Sequence, residues 1–232
     1  MHLIRLIKSA APEANFLAGI SVIGLLIKVL FLNKHPAWNI NFFELGVLLE
    51  AILASIVAGY VFYIFVNHLQ EFQKHQIVAP FVLKQSQRIV GECKGQLVEF
   101  SKVVSRPLEL STLSIEDINF VFSNIHPHDQ APLIMANTRR NATWFEFFDY
   151  HIIRTRDKIR KLLDQLTYVP PKMLVLILEI EDSSHFSIIR MVLNKPINNI
   201  DLSVFADPFF KYCELCKALD LLNNKHEKSI LL

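Results

Sequence analysis

The stretches NFLAGISVIGLLIKVLFL at 15–32 and FFELGVLLEAILASIVAGYVFYIFV at 42–66 decide how this chain is read. Each is close to the ~20 residues that, at a rise of ~1.5 Å per residue, cross a ~30 Å hydrocarbon core. The polar link NKHPAWNIN at 33–41 joins them. The pair predicts a transmembrane hairpin over residues 1–66. The remaining residues, 67–232, suit one further domain of ordinary size.

Arg5 and Lys8 precede the first run, as in the basic region of a signal peptide. The apolar run is too long for that, lacks a small-x-small cleavage site before Asn33, and is followed at once by a second span. An uncleaved signal-anchor is the expectation. Lys74, Lys84, Arg88 and Lys94 follow the second run, while the link carries Lys34 and His35. By the positive-inside rule both termini are expected to be cytoplasmic and the link outside, with the protein multi-pass in its membrane.

Ionisable residues interrupt both runs, and such groups inside lipid mark function unless paired or wetted. Lys28 and Glu44 sit within about two turns of the outer boundary, and Glu50 lies deeper. Lys28 can face Glu44 or snorkel outward. Glu50 can pair with Lys28 through a bent geometry, stay protonated, or line a water-filled pore in an oligomer. An ion pair that locks the hairpin and a pore both fit. Ala51, Ser55 and Gly59 recur at steps of four, as do Ala54 and Ala58. Such small-xxx-small faces let helix backbones approach closely in lipid, either within the hairpin or between subunits of a homo-oligomer.

The net charge of +2 gives no global signature of a nucleic-acid binder, and six glycines with little strand-type alternation favour helices. The fold class expected is an all-α membrane protein: a two-helix hairpin, then a helical cytoplasmic domain. Apolar positions at Ile77, Phe81, Ile89, Val90, Leu97 and Phe100 predict a helix through 67–105, kinked or restarted at Pro80 and stopped by Arg106-Pro107. Ser114 to Asp117 reads as a capped helix start, and Thr143 as the cap of a long helix to about 166. KMLVLILEIEDSSHFSIIRMVLN at 172–194 reads as one helix, and a last helix starts near Asp207-Pro208.

Catalytic motifs are missing: there is no GxSxG, no phosphate-binding glycine loop and no HExxH, so no enzymatic activity and no cofactor are expected. His126, His128 and Asp129, with His151 or His185 in space, fall short of a metal set. Cys213 and Cys216 form a CxxC with no second half and read as core. Glu179, Glu181 and Asp182 form an acidic cluster without a partner motif. Arg154, Lys158 and Lys161 share one helix face within the densest basic cluster, which could meet phosphates or partners, or simply be solvated.

A two-span hairpin followed by WFEFFDYHIIRTRDKIRKLL at 144–163 and ILEIEDSSHF at 177–186 resembles the two-transmembrane effectors of bacterial retron antiphage systems. The likeness covers the architecture and, loosely, segments 60–100 and 143–190. It implies membrane disruption that arrests or kills an infected cell. It also implies partners, a reverse transcriptase and its RNA–DNA product, that hold the effector inactive. The other class that fits is a membrane-anchored helical scaffold or sensor with a passive hairpin.

Overall fold

The computed structural model describes Ile7, residues 10–31, 40–135 and 139–193, Lys195 and residues 198–231. The flanking charges Arg5, Lys8, Lys34 and His35, on which the expected orientation rests, and most of the polar link lie outside the described residues. The described chain is mostly helical and forms two compact units, Met1–Ile77 and Val78–Leu232. The boundary falls eleven residues beyond the expected end of the hairpin domain at 66.

In the first unit, α1 spans Pro12–Leu30 and α2 spans Ile40–Phe62. Proline opens α1, where its missing N–H would have had no intrahelical partner anyway. Ala18, Ser21 and Lys28 are buried on α1, while Phe16, Leu17, Ile20, Ile23 and Ile27 face outward. On α2, Leu45, Val47, Leu48, Leu49 and Ile52 are likewise exposed. Among the described residues of this unit, the buried apolar cluster is Ala10 and Ile64 with Tyr60, Tyr63, Leu69 and Phe72 packed on it, which leaves these faces uncovered. By length and composition, Pro12–Leu30 and the helix containing α2 are long and apolar enough to cross a membrane.

The six residues Tyr63–His68 that follow α2 are wound as a π-helix and lead without a loop into α3, Leu69–Val104. The wider winding brings residues five apart onto one side. Tyr63 and His68 accordingly stack with ring centroids 5.9 Å apart. Helix α3 continues through Pro80, which removes one backbone hydrogen bond without ending the helix, contrary to the restart considered from sequence. It ends at Val104, where Ser105 takes a left-handed conformation (φ 53°) ahead of Arg106-Pro107.

The second unit is built around Phe100. Its ring lies 5.4–6.2 Å from those of Phe122, Trp144, Phe147, Phe148 and Phe209, which come from three further helices. Ile89, Val90, Cys93 and Leu97 extend this buried face along α3. Ile77 and Phe81, expected on the same face, are 76% and 39% exposed, and Val82, Gln85 and Ser86 are buried in their place. Helix α4, Ile115–Ser123, starts from a complete Ser114/Asp117 capping box. Helix α5, Trp144–Leu163, starts from a Thr143/Glu146 box, as their sequences require.

Two strands were not expected. β1 (Gln130–Met135) and β2 (Arg140–Thr143) form an antiparallel pair leading into α5. Pro132, Asn141 and the brevity of both strands hide them from pattern reading. The helix expected over 172–194 is in fact two, α6 (Pro171–Glu181) and α7 (Ser184–Val192). Ser183 between them is extended. Asp and Ser are weak helix formers, and the break lets Ile177 and Ile180 as well as His185 and Phe186 reach the core. MLVLILEI is helical, as its sequence suggested. The last helix, α8, spans Ala206–Leu231. Its Cys213 and Cys216 meet Cys93 of α3 in the core, all three fully buried, with Cys93 Sγ 3.6 Å from Cys213 Sγ. Burial pushes the thiols of Cys213 and Cys216 above their usual range, consistent with packing rather than reactivity.

Candidate functional site

Two polar constellations stand out, one in each unit. In the hairpin, Gly46, Glu50, Leu53, Val57 and Tyr60 fall within roughly 40° of one line along α2 at ~100° per residue. This line faces α1. Asn15 accepts a hydrogen bond from Tyr60, and Lys28 forms an ion pair with Glu50. Between these pairs a Cβ on Gly24 would meet Leu53 Cδ1 at 3.1 Å, so the backbone of α1 approaches α2 closely there. Ser21 is buried and turns its hydroxyl onto Leu17 O at 2.8 Å, leaving no orphan donor at the seam.

The partner of Lys28 is therefore Glu50, not Glu44. Counting residues from the link put Glu44 at the right depth, but Glu44 lies roughly 160° around α2 from Gly46 and is exposed. Azimuth decides here, because a lysine can extend along a helix but cannot reach around one. Ala51, Ser55 and Gly59 are exposed on the same outward side as Glu44 and are not covered by α1. Glu50 faces away from this stripe rather than flanking it. Lys28 is 8% exposed, whereas the Glu50 side chain keeps 44% of its surface. Glu50→Leu, which strands the covered ammonium, should therefore cost more than Lys28→Leu, about 2 kcal/mol against about 1, and Lys28→Leu/Glu50→Leu together should recover most of the loss. Thermal unfolding of the full chain in detergent, read across all four variants, measures the coupling. Additive losses would show that the two side chains do not support each other.

In the second unit, a charged residue occupies a core-facing turn of α3. Glu92 is 7% exposed and lies between Ile89 and Cys93, both buried. Helix α5 supplies its partners. His151 Nδ1–H donates to Glu92 Oε2 at 2.8 Å, while Arg154 Nε and Lys158 Nζ donate to Oε1 at 2.9 and 2.7 Å. Burial pushes the Glu92 carboxyl upward. The hydrogen bonds from His151, Lys158 and Arg154 together outweigh it and bring the carboxyl down to about 2. Arg154 also donates to Tyr150 Oη at 2.7 Å and lies over that ring.

A cavity of 530 Å³ opens above this cluster. Gln85, Arg88, Gly91 and Glu92 of α3 form one wall, and Arg154, Asp157, Lys158 and Lys161 of α5 the other. Sequence reading had grouped Arg154, Lys158 and Lys161 on one face, and the structure brings all three to this cleft. Of the same run, Arg156 turns elsewhere, 3.9 Å from Glu181 and over Phe186, while Arg160 lies 3.8 Å from Asp157 of the cleft wall. Glu92, Arg88 and Gln85 were missed, although a glutamate and a glutamine inside the apolar stripe of an amphipathic helix are a readable signal. The acidic cluster at Glu179 and Asp182 is exposed.

The histidines once grouped as ligand candidates are engaged separately. His126 Nδ1 accepts from the His128 backbone N–H at 3.3 Å and lies 4.0 Å from Asp129. His151 is held by Glu92, and His185 is buried among Phe148, Phe186, Phe209 and Tyr212. Among the described residues no group of three or more His, Cys, Asp or Glu is placed to hold a metal. Set against protein-family models, curated proteins and solved structures, the chain matches none.

Proposed function

We infer that the chain is a non-enzymatic membrane effector of antiphage defence. The hairpin crosses the inner membrane and perturbs it, and the helical unit answers to a trigger in the cytoplasm. One observation carries this reading. The hairpin pairs polar groups along its seam, Asn15 with Tyr60 and Lys28 with Glu50, and turns a mainly apolar surface outward, interrupted among the described residues of α2 by Glu44 and Ser55. That is how a helix pair satisfies itself in lipid, where an unpaired polar group has no water to turn to. The outward stripe Ala51–Ser55–Gly59 is the face on which copies would associate.

The resemblance to retron effectors supplies the remainder of the reading: a reverse transcriptase and its RNA–DNA product restrain the effector until infection disturbs them. A pull-down of the full chain from cells carrying its native genomic neighbourhood should recover a reverse transcriptase with bound nucleic acid. Recovery of neither would sink the retron assignment.

Gly59 gives the discriminating variant. A Cβ there meets nothing within 4 Å, so Gly59→Leu has room within a single hairpin. Any loss of activity must come from a contact beyond it. Expression of the wild type should depolarise the inner membrane, read with a potential-sensitive dye, and Gly59→Leu should reduce this about tenfold while inserting at the same level. The anchored-scaffold reading draws on the same seam, since Glu50 paired with Lys28 has no need of a pore. It predicts no depolarisation by either protein, with or without a trigger.

A further inference from the structure

We propose that the cleft between α3 and α5 binds a small phosphorylated ligand of the nucleotide class. Four cations line it, Arg88, Arg154, Lys158 and Lys161, against the carboxylates of Glu92 and Asp157. Two of the cations, Arg154 and Lys158, are already anchored on Glu92. Arg88 and Lys161 are exposed and, among the described residues, in no ion pair. The anchored pair is held in place before any ligand arrives, so little side-chain freedom is lost on binding, and the free pair supplies uncompensated positive charge.

Phosphate alone does not account for the lining. Gln85 lines the cleft with 5% of its surface exposed, and its buried Oε1 has no hydrogen-bond partner among the described residues. Asp157, 3.8 Å from Arg160, offers an exposed carboxylate acceptor on the opposite wall. An accessible carboxylate beside four cations suits a ligand that carries hydroxyl or amino donors next to its phosphates, as a nucleotide does and inorganic polyphosphate does not. The cleft is open to solvent, and its volume of 530 Å³ falls within the ~300–1,000 Å³ usual for small-molecule sites. A concave site of this size favours a compact ligand over an extended nucleic-acid strand, whose backbone needs a long basic track. Gly91 lies on the wall with open space where its side chain would be, and so helps to keep the cleft open.

This proposal does not depend on the membrane reading and is tested without it. Full-length protein in detergent micelles would be titrated calorimetrically with ATP, GTP, CTP and UTP. Adenosine, inorganic tripolyphosphate, a single-stranded RNA oligonucleotide and phosphatidylglycerol vesicles serve as comparison probes. At least one triphosphate should bind one-to-one and more tightly than tripolyphosphate or adenosine. Arg88→Ala and Lys161→Ala, neither of which touches Glu92, should each weaken it about tenfold. Gly91→Leu should abolish binding with the thermal midpoint unchanged or raised, because leucine fills the cleft and is a better helix former than glycine. The proposal is overturned if no triphosphate binds, or if binding survives Gly91→Leu. Tripolyphosphate binding as tightly as any nucleotide would reduce the cleft to a plain anion patch and overturn it equally. RNA or vesicles that bind through Arg88 and Lys161 in preference to every nucleotide would assign the cleft to another class and also overturn it.

Discussion

Replacing Glu92 with leucine is expected to destabilise the helical unit by about 3–4 kcal/mol, the loss typical when one member of a buried charge cluster is removed and the others stay behind. Three partners converge on this carboxylate. Arg154, about half exposed, can swing into water. His151 and Lys158, each with 14% of the side chain exposed, cannot do so without dragging α5 away from α3. For a domain of this size, that loss lowers the thermal midpoint by about 10 °C, readable by circular dichroism on the full chain. Glu92→Gln keeps the shape and one acceptor and should lose roughly half as much. The acid side is a second check. A carboxyl at about 2 in the fold contributes fully above the usual glutamate value of 4.5, and that contribution disappears as pH falls from 4.5 through 2. Glu146 behaves in the same way. Its hydrogen bond with Arg140 and its capping bonds hold it at about 2 despite partial burial. Glu92→Gln should therefore flatten the stability profile between pH 4.5 and 2. A profile unchanged by the substitution would mean the carboxylate is not engaged as described.

The second large effect comes from His185. Its ring is fully buried, and neither ring nitrogen has a hydrogen-bond partner among the described residues. Burial lowers its pKa from 6.5 to about 3. The fold thus holds the neutral ring, while the unfolded chain takes a proton below 6.5. The sign is the same as for the carboxylates: stability is complete above 6.5 and is lost as pH falls from 6.5 to about 3. At ~1.36 kcal/mol per unit the full loss is about 5 kcal/mol, with about 2 kcal/mol already gone at pH 5. That is a large share of the 5–15 kcal/mol that holds a typical domain together. His185→Phe fits the aromatic surroundings, removes two unpaired nitrogens and should abolish the loss between pH 6.5 and 4.5. Denaturant unfolding at pH 7 and pH 5 measures the difference. Equal acid sensitivity in wild type and His185→Phe would show that another group drives it.

Helix caps were legible because they are local. Ser114 with Asp117 and Thr143 with Glu146 each carry their whole chemistry within four residues; both caps form where they were read, and Glu146, not named from sequence, completes the second box. The second half of α3 was legible because Ile89, Val90, Leu97 and Phe100 repeat on one face. Its first half was not: Ile77 and Phe81 continue the apolar composition but not the buried face, which passes instead through Val82, Gln85 and Ser86. The break at Ser183 was present in the sequence as Asp-Ser-Ser and was outweighed in the reading by the apolar residues on either side. The two short strands carry no periodicity long enough to detect. At the cleft, the shared face of Arg154, Lys158 and Lys161 could be read from spacing, but what they face could not.

The sequence by itself determined the local properties: two apolar runs of membrane-crossing length, a helical remainder, and the placement of cations along α5. These follow from composition and period, which act over a few residues. Tertiary structure decided every pairing between segments far apart in the chain. Lys28 meets Glu50 because the antiparallel seam selects azimuth over depth, and the small-residue stripe is left outside for the same reason. Glu92 meets His151, Arg154 and Lys158 across more than fifty residues because the two helices carrying them pack side by side. Such contacts depend on which helix faces turn toward each other. That is fixed by burial summed over the whole unit, and no short window of sequence contains it.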